Sequence, residues 1–133
     1  MLLVDGTNGD VDPVNHLAQR SRRDAGGLSD QAVTAADREV EAYIRAELAR
    51  ERPGDGFFGE ESGAEEGETG ITWVVDPIDG TVNYAYGIPA WAVSIAAVEG
   101  PPDTASWPAL AGVVFNPVTG ELFRASRGGG AWL

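Results

Sequence analysis

The chain contains no cysteine, and this absence removes several kinds of chemistry from consideration. Disulfide bridges, thiolate catalysis, zinc fingers and iron–sulfur clusters all depend on cysteine sulfur. A chain without any cysteine suits a reducing compartment, so we expect a cytoplasmic protein.

Basic residues are also scarce. Nine Lys and Arg stand against 21 Asp and Glu, which gives a formal net charge of −12. Nucleic acids and anionic membranes attract proteins through basic surfaces, so we expect neither as a partner. The only histidine is His16, in a segment rich in turn-forming residues, and a Ser-His-Asp triad therefore has little support.

Long apolar runs are missing as well. No segment approaches membrane-spanning length, and residues 1–10 lack the charged start and apolar stretch of a signal peptide. The 133 residues are 43% hydrophobic and 23% charged, the composition of a soluble domain with a hydrophobic core.

The clearest helical signal covers residues 34–51. Apolar residues recur there every four positions: Ala36, Val40, Ile44 and Leu48. Charged residues, Glu41 among them, occupy the remaining positions and are assigned to the solvent faces. Thr34 and Asp37 have the spacing of a capping box, and Pro53 ends the pattern. The sequence therefore predicts an amphipathic helix with Thr34 as its cap.

Strand signals follow the helix. Short runs rich in apolar residues occur at 57–58, 71–75, 91–98, 110–115 and 121–125. The turn residues at 116–120 predict a hairpin between the last two runs. One helix followed by a series of strands predicts an α+β fold, with the helix packed on an antiparallel sheet. Residues 1–30 are predicted to be poorly ordered, and residues 31–133 to form one domain.

The most informative stretch is residues 73–81, which read WVVDPIDGT. Asp76 and Asp79 lie in it, and Glu60 stands upstream between Gly59 and Glu61. Three carboxylates form a set of hard oxygen ligands, which suits Mg²⁺ or Mn²⁺. Gly80 and Thr81 add backbone N–H groups and a hydroxyl that can hold an anion. A metal site beside an anion site indicates phosphate-ester chemistry.

The same stretch has a plain structural reading. Asp-Pro-x-Asp-Gly is a favourable turn sequence for reasons unrelated to catalysis. On that fragment alone a turn is the better interpretation. The upstream Glu60 and the downstream Asn83-Tyr84 shift the balance towards a site.

Taken together, these blocks resemble the inositol monophosphatase family of Mg²⁺-dependent phosphatases. The resemblance lies in residues 33–37, 59–62, 73–84, 87–89, 92–95, 112–117 and 128–131. It runs from about residue 30 to the end of the chain. The stretch at 73–81 is highly specific, whereas the other blocks are weak individually.

The resemblance implies a role for each matching residue. Glu60, Asp76, Asp79 and the carbonyl of Ile78 would bind Mg²⁺. Glu60 and Thr81 would orient the attacking water, and Asp37 would support Thr81 through a hydrogen bond. The substrate phosphate would lie against Asp79, Gly80 and Thr81. Glu61 is assigned to a solvated side chain.

The resemblance also implies a reaction. It is the hydrolysis of a small phosphomonoester, with inositol 1-phosphate favoured, by an enzyme that forms homodimers and is inhibited by Li⁺. Relatives acting on histidinol phosphate, fructose bisphosphate or a nucleotide 3′-phosphate remain alternatives. The family's chains are about twice as long, and the αβαβα fold of the family would be represented here by its N-terminal part.

Two further readings stay open. The family's second half supplies another metal-binding aspartate in a Trp-Asp-x-Ala motif, which this sequence lacks, so the chain could bind metal or phosphate without turnover. The acidic residues at 5–12 resemble a calcium loop but lack the required glycine and terminal glutamate, so an exposed turn is favoured there.

Overall fold

The computed structural model describes residues 30–102 and 106–133. Two helices and seven strands lie in these ranges. In chain order they are α1 (Asp30–Glu51), β1 (Gly56–Gly59), β2 (Gly63–Glu65), β3 (Ile71–Asp79), α2 (Thr81–Ala85), β4 (Ala92–Glu99), β5 (Ala109–Asn116), β6 (Glu121–Ser126) and β7 (Gly130–Trp132). The predicted α+β class is confirmed. In the described part of the chain no helix combines the length and apolar character needed to cross a membrane.

All seven strands belong to one sheet with the order β2-β1-β3-β4-β5-β6-β7. From β3 to β7 each strand pairs antiparallel with the next, and the predicted hairpin at 116–120 is confirmed. The pairing of β1 with β3 is parallel, because the short strand β2 returns along the outer edge of β1. The sheet is therefore mixed, and the prediction of a purely antiparallel sheet is wrong at this pair.

The helix α1 begins earlier than the capping pattern indicates. Asp30 is already helical, and the Thr34 hydroxyl donates to the Asp30 carbonyl at 2.9 Å. This is the bond that a threonine inside a helix makes to the preceding turn, so the prediction of Thr34 as the cap is wrong. Asp37 lies seven residues, about two turns, after the start of the helix and is therefore not a cap.

One face of α1 packs on the sheet beside β3. The apolar positions predicted for that face are buried, and they meet side chains from β1, β3, β4 and α2. The core consists of Val33, Ala36, Val40, Ile44, Leu48, Phe57, Val75, Ile78, Tyr84, Trp91 and Val93. Burial of these groups is the main source of stability for the half of the sheet that carries the carboxylates.

The other half of the sheet has little cover in the described part of the chain. Every residue of β6 and β7 is exposed, including the large apolar side chains of Phe123 and Trp132. The predictions for residues 1–29, including His16 and the acidic stretch at 5–12, lie outside the described residues. Asp30, assigned to the poorly ordered segment, is helical.

Candidate functional site

The stretch at 73–81 is a strand that runs directly into a short helix. Strand β3 continues through Pro77 to Asp79, and its register against β4 shifts between Asp76 and Asp79. Proline has no N–H for the ladder, so it fits where the pairing is irregular. The irregularity sets the direction of the two aspartates at the end of a rigid strand. The alternative interpretation of this stretch as a simple turn therefore holds only for the position after Asp79.

Gly80 makes the change from strand to helix. Its φ of 90° lies in the left-handed region, which side chains rarely adopt. The backbone also passes very close to the segment before β4, since a Cβ on Gly80 would lie 3.1 Å from the Ala90 carbonyl oxygen. A larger residue would be strained at this φ and would also crowd the Ala90 carbonyl, so the turn requires glycine for two reasons.

Thr81 begins α2 and faces back towards the turn. Its hydroxyl donates to the Ile78 carbonyl at 2.9 Å. Tyr84 in the same helix is buried and packs edge-on against Trp91, with ring centroids 4.9 Å apart. The two contacts hold α2 in place relative to the end of β3.

The parallel pairing of β1 and β3 brings Glu60 and Asp76 together. Gly59, the last residue of β1, is registered opposite Val75. Glu60 follows β1 directly, and Asp76 is the next residue of β3. Burial, the Asp76 charge and a hydrogen bond to Asp76 raise the pKa of Glu60. Burial and the charge of Asp79 raise the pKa of Asp76, although hydrogen bonds from Glu60 and the Ile78 backbone oppose this. The two predicted ligands are therefore close neighbours.

Asp37 adds a further carboxylate from α1. It is 6% exposed, and burial raises its pKa to about 7, helped by the charges of Glu61, Glu60, Asp76 and Glu41. The predicted hydrogen bond from Thr81 is not formed, because that hydroxyl donates to Ile78 instead. Asp37 Oδ1 is buried without a hydrogen-bond partner in the described structure.

Glu41 is a site residue that sequence reasoning missed. It was assigned to a solvent face, yet it is 2% exposed, and its carboxylate accepts hydrogen bonds from the backbone N–H groups of Glu61 and Ser62. Its position between Val40 and Ile44, next to the apolar face of α1, was the available signal. Glu61 was assigned to a solvated side chain; the residue is exposed, and its carboxylate also forms a surface ion pair with Arg38 at 3.3 Å.

Asp79 lies at the exposed end of β3, and its charge acts on Asp76. Within residues 30–102 and 106–133, no three acidic, histidine or cysteine side chains are already arranged to hold a metal ion. The group nevertheless fits a cation. Asp76 Oδ1 and Asp37 Oδ1 are buried without partners, and several carboxylates raise one another's pKa. A bound cation would satisfy the lone pairs and remove the repulsion.

The fold and the site together define an α+β domain with carboxylates gathered where two parallel strands end, beside a glycine turn into a short helix. The chain belongs to the inositol monophosphatase family, whose model matches residues 14–133.

Individual relatives agree with this assignment. The chain is 48% identical to the inositol-1-monophosphatase of Mesorhizobium japonicum over 102 residues, 76% of this chain and 36% of that protein. It is also 48% identical to the histidinol-phosphatase of Mycobacterium tuberculosis over 101 residues, 75% of this chain and 36% of that one. The structure of the extragenic suppressor protein SuhB from Bartonella henselae superposes with a TM-score of 0.71 at 40% identity, covering 90% of this chain and 47% of SuhB. The chain thus spans less than half the length of these relatives.

Proposed function

We propose that this chain carries the metal-binding half of the active site of a Mg²⁺-dependent phosphomonoesterase. The observation that carries the proposal is that the parallel pairing of β1 and β3 brings Glu60 next to Asp76, one oxygen of which is buried without a partner in the described structure. Carboxylates crowd together in this way where a hard cation compensates their charge. Family membership supports the same reaction class.

Four oxygen donors are assigned to Mg²⁺: the carboxylates of Glu60, Asp76 and Asp79, and the carbonyl of Ile78. The Ile78 carbonyl accepts from Thr81 and retains a second lone pair. When bound, the ion supplies charge neutralisation for the phosphate and makes a water more acidic.

The remaining roles belong to the chain's own groups. Glu60 accepts a proton of the attacking water, and the Thr81 hydroxyl orients it. Asp79 and the backbone of Gly80 and Thr81 contact the phosphate. Asp37 acts behind Thr81 from α1: its Oδ1 is buried without a hydrogen-bond partner in the described structure, while the Thr81 hydroxyl keeps its hydrogen bond to the Ile78 carbonyl.

Inositol 1-phosphate is the substrate that we propose, because relatives at 48% and 46% identity are inositol-1-monophosphatases. Histidinol phosphate is the second candidate, since a relative of equal identity is a histidinol-phosphatase. Fructose bisphosphate and nucleotide 3′-phosphates are the other candidates that the resemblance implies. The cytoplasmic location, homodimer formation and inhibition by Li⁺ remain predictions from the resemblance.

The experiment is a phosphate-release assay on the chain with both phosphomonoesters, with Mg²⁺ or with EDTA, beside a calorimetric titration with Mg²⁺. Mg²⁺-dependent release supports the enzyme. Metal binding without release supports a binding fragment that needs further groups for turnover. A chain that neither binds Mg²⁺ nor releases phosphate would rule out both.

Asp79→Asn should abolish Mg²⁺-dependent release in a chain that turns over, and should weaken Mg²⁺ binding in one that only binds. The substitution removes a charge at the exposed end of β3, so circular dichroism should be unchanged. Glu39→Gln is the matched control, because Glu39 is exposed on α1 away from the site. Full activity of Asp79→Asn at saturating Mg²⁺ would remove Asp79 from the site.

A further inference from the structure

Glu41 is a buried carboxylate that none of the roles above uses. Each of its oxygens accepts one backbone hydrogen bond, Oε2 from the N–H of Glu61 at 2.8 Å and Oε1 from the N–H of Ser62 at 2.7 Å. Hydrogen bonds to an ionised acceptor are short and strong, and two of them to one group fix its orientation. Glu41 therefore joins α1 to the loop between β1 and β2.

The loop residue next to these two N–H groups is Glu60. On its other side, Gly59 lies directly against the same carboxylate, since a Cβ at Gly59 would come within 2.5 Å of the Glu41 carboxyl carbon. Glu41 thus contacts the backbone on both sides of Glu60. A small rotation of this loop would carry the Glu60 side chain away from Asp76.

A neighbouring residue of α1 reinforces the contact. Arg38, one turn before Glu41 and on the same face of the helix, pairs with the Glu61 side chain. Arg38 is largely exposed, so this pair contributes little. The loop is therefore held in place mainly by the buried Glu41 carboxylate.

We propose that Glu41 is a positioning residue, whose carboxylate holds residues 59–62 so that Glu60 lies beside Asp76 at the metal site. It does not itself touch the ion or the substrate. The proposal rests on the proposed function in one respect, namely that Glu60 is a ligand. Its physical basis is that removing a group that orients a metal ligand typically lowers metal affinity by about 10- to 100-fold.

The test is Glu41→Gln in the full chain, with Mn²⁺ as the probe. Glutamine keeps one acceptor oxygen but turns an NH₂ group towards the second backbone N–H. Electron paramagnetic resonance of free Mn²⁺ should show affinity reduced about tenfold or more. Glu39→Gln removes the same charge from an exposed position of the same helix and should bind Mn²⁺ as the wild type does.

Amide hydrogen exchange provides a readout that does not depend on metal. In Glu41→Gln the amides of Glu61 and Ser62 should exchange much faster, while those of β3 and β4 stay protected. Gly59→Ala is the second variant, in case Glu41→Gln does not fold. It leaves the carboxylate intact but displaces it, and should weaken Mn²⁺ binding in the same way.

The outcomes separate the two proposals. Either of two results for Glu41→Gln would overturn the positioning role. One is unchanged Mn²⁺ affinity although the Glu61 and Ser62 amides exchange faster. The other is that these amides stay as protected as in the wild type. If the wild type binds no Mn²⁺, the metal site itself is wrong. Amide exchange then decides alone: loss of protection confined to Glu61 and Ser62 supports the hold of Glu41 on the loop, and unchanged protection refutes it.

Discussion

At the level of single residues, the site depends on carboxylates whose burial and mutual repulsion cost folding free energy. Asp37, Glu60 and Asp76 each have a raised pKa, with burial as the largest cause. Residues of this kind cluster at functional sites, because folding alone would favour their replacement by neutral groups. The sequence identified these three carboxylates as site residues, whereas the contacts of Glu41 with the loop after β1 are seen only in the folded chain.

Glu60→Gln should lower turnover more than substrate affinity. Glutamine has nearly the same shape but cannot take a proton from water, so kcat should fall by about 10²-fold or more. Steady-state kinetics with the preferred phosphomonoester at saturating Mg²⁺ provides the measurement. An effect confined to KM would place Glu60 in substrate binding instead.

At the scale of elements, the turn from β3 into α2 sets the geometry of Asp79 and Thr81. Asp76-Pro77-Ile78-Asp79 was recognisable as a motif, and Gly80 as a turn residue. The continuation of β3 through Pro77 was not predictable, because it depends on the register shift against β4. The close approach of Gly80 to Ala90 is likewise a contact between segments.

Gly80→Ala should destabilise the protein by about 1–3 kcal/mol, since alanine is strained at positive φ and would also crowd the Ala90 carbonyl. Gly120→Ala is the control. Gly120 has a φ of 77° but open space around the added methyl group. Urea unfolding should show a larger loss of unfolding free energy for Gly80→Ala than for Gly120→Ala. Equal losses would mean that the crowding at Gly80 is relieved without a cost in stability.

At the level of the whole molecule, the net charge is −12, and several of the acidic residues are concentrated at the site. Carboxylates from α1, β3 and the loop after β1 face one another, and their pKa values rise together. Acids with a raised pKa in the folded protein bind protons more tightly there than in the unfolded chain. The folded state is therefore penalised as these groups ionise.

Without metal, the free energy of unfolding should fall as pH rises from about 5 to about 7.5. Asp37, with its pKa raised from 3.8 to about 7, is still partly protonated in the folded protein across this window and ionised in the unfolded chain. Urea midpoints in EDTA should show the decline, and saturating Mg²⁺ should reduce it. Asp37→Asn should flatten the EDTA profile, and a rising midpoint across this window would contradict the assignment.

The α+β class, the amphipathic helix, the β5–β6 hairpin and the acidic residues of the site can be inferred from the amino-acid order alone. These follow from local periodicity, turn chemistry and residue type, which act over a few positions of the chain. Which of those residues come into contact depends on how distant parts of the chain pack in the folded protein. Glu60 and Asp76 are neighbours because β1 and β3 pair in parallel, and Glu41 is buried because the loop after β1 lies across α1. Both contacts join residues far apart in the chain, and although the position of Glu41 beside the apolar face of α1 favours its burial, neither contact partner can be identified from local sequence.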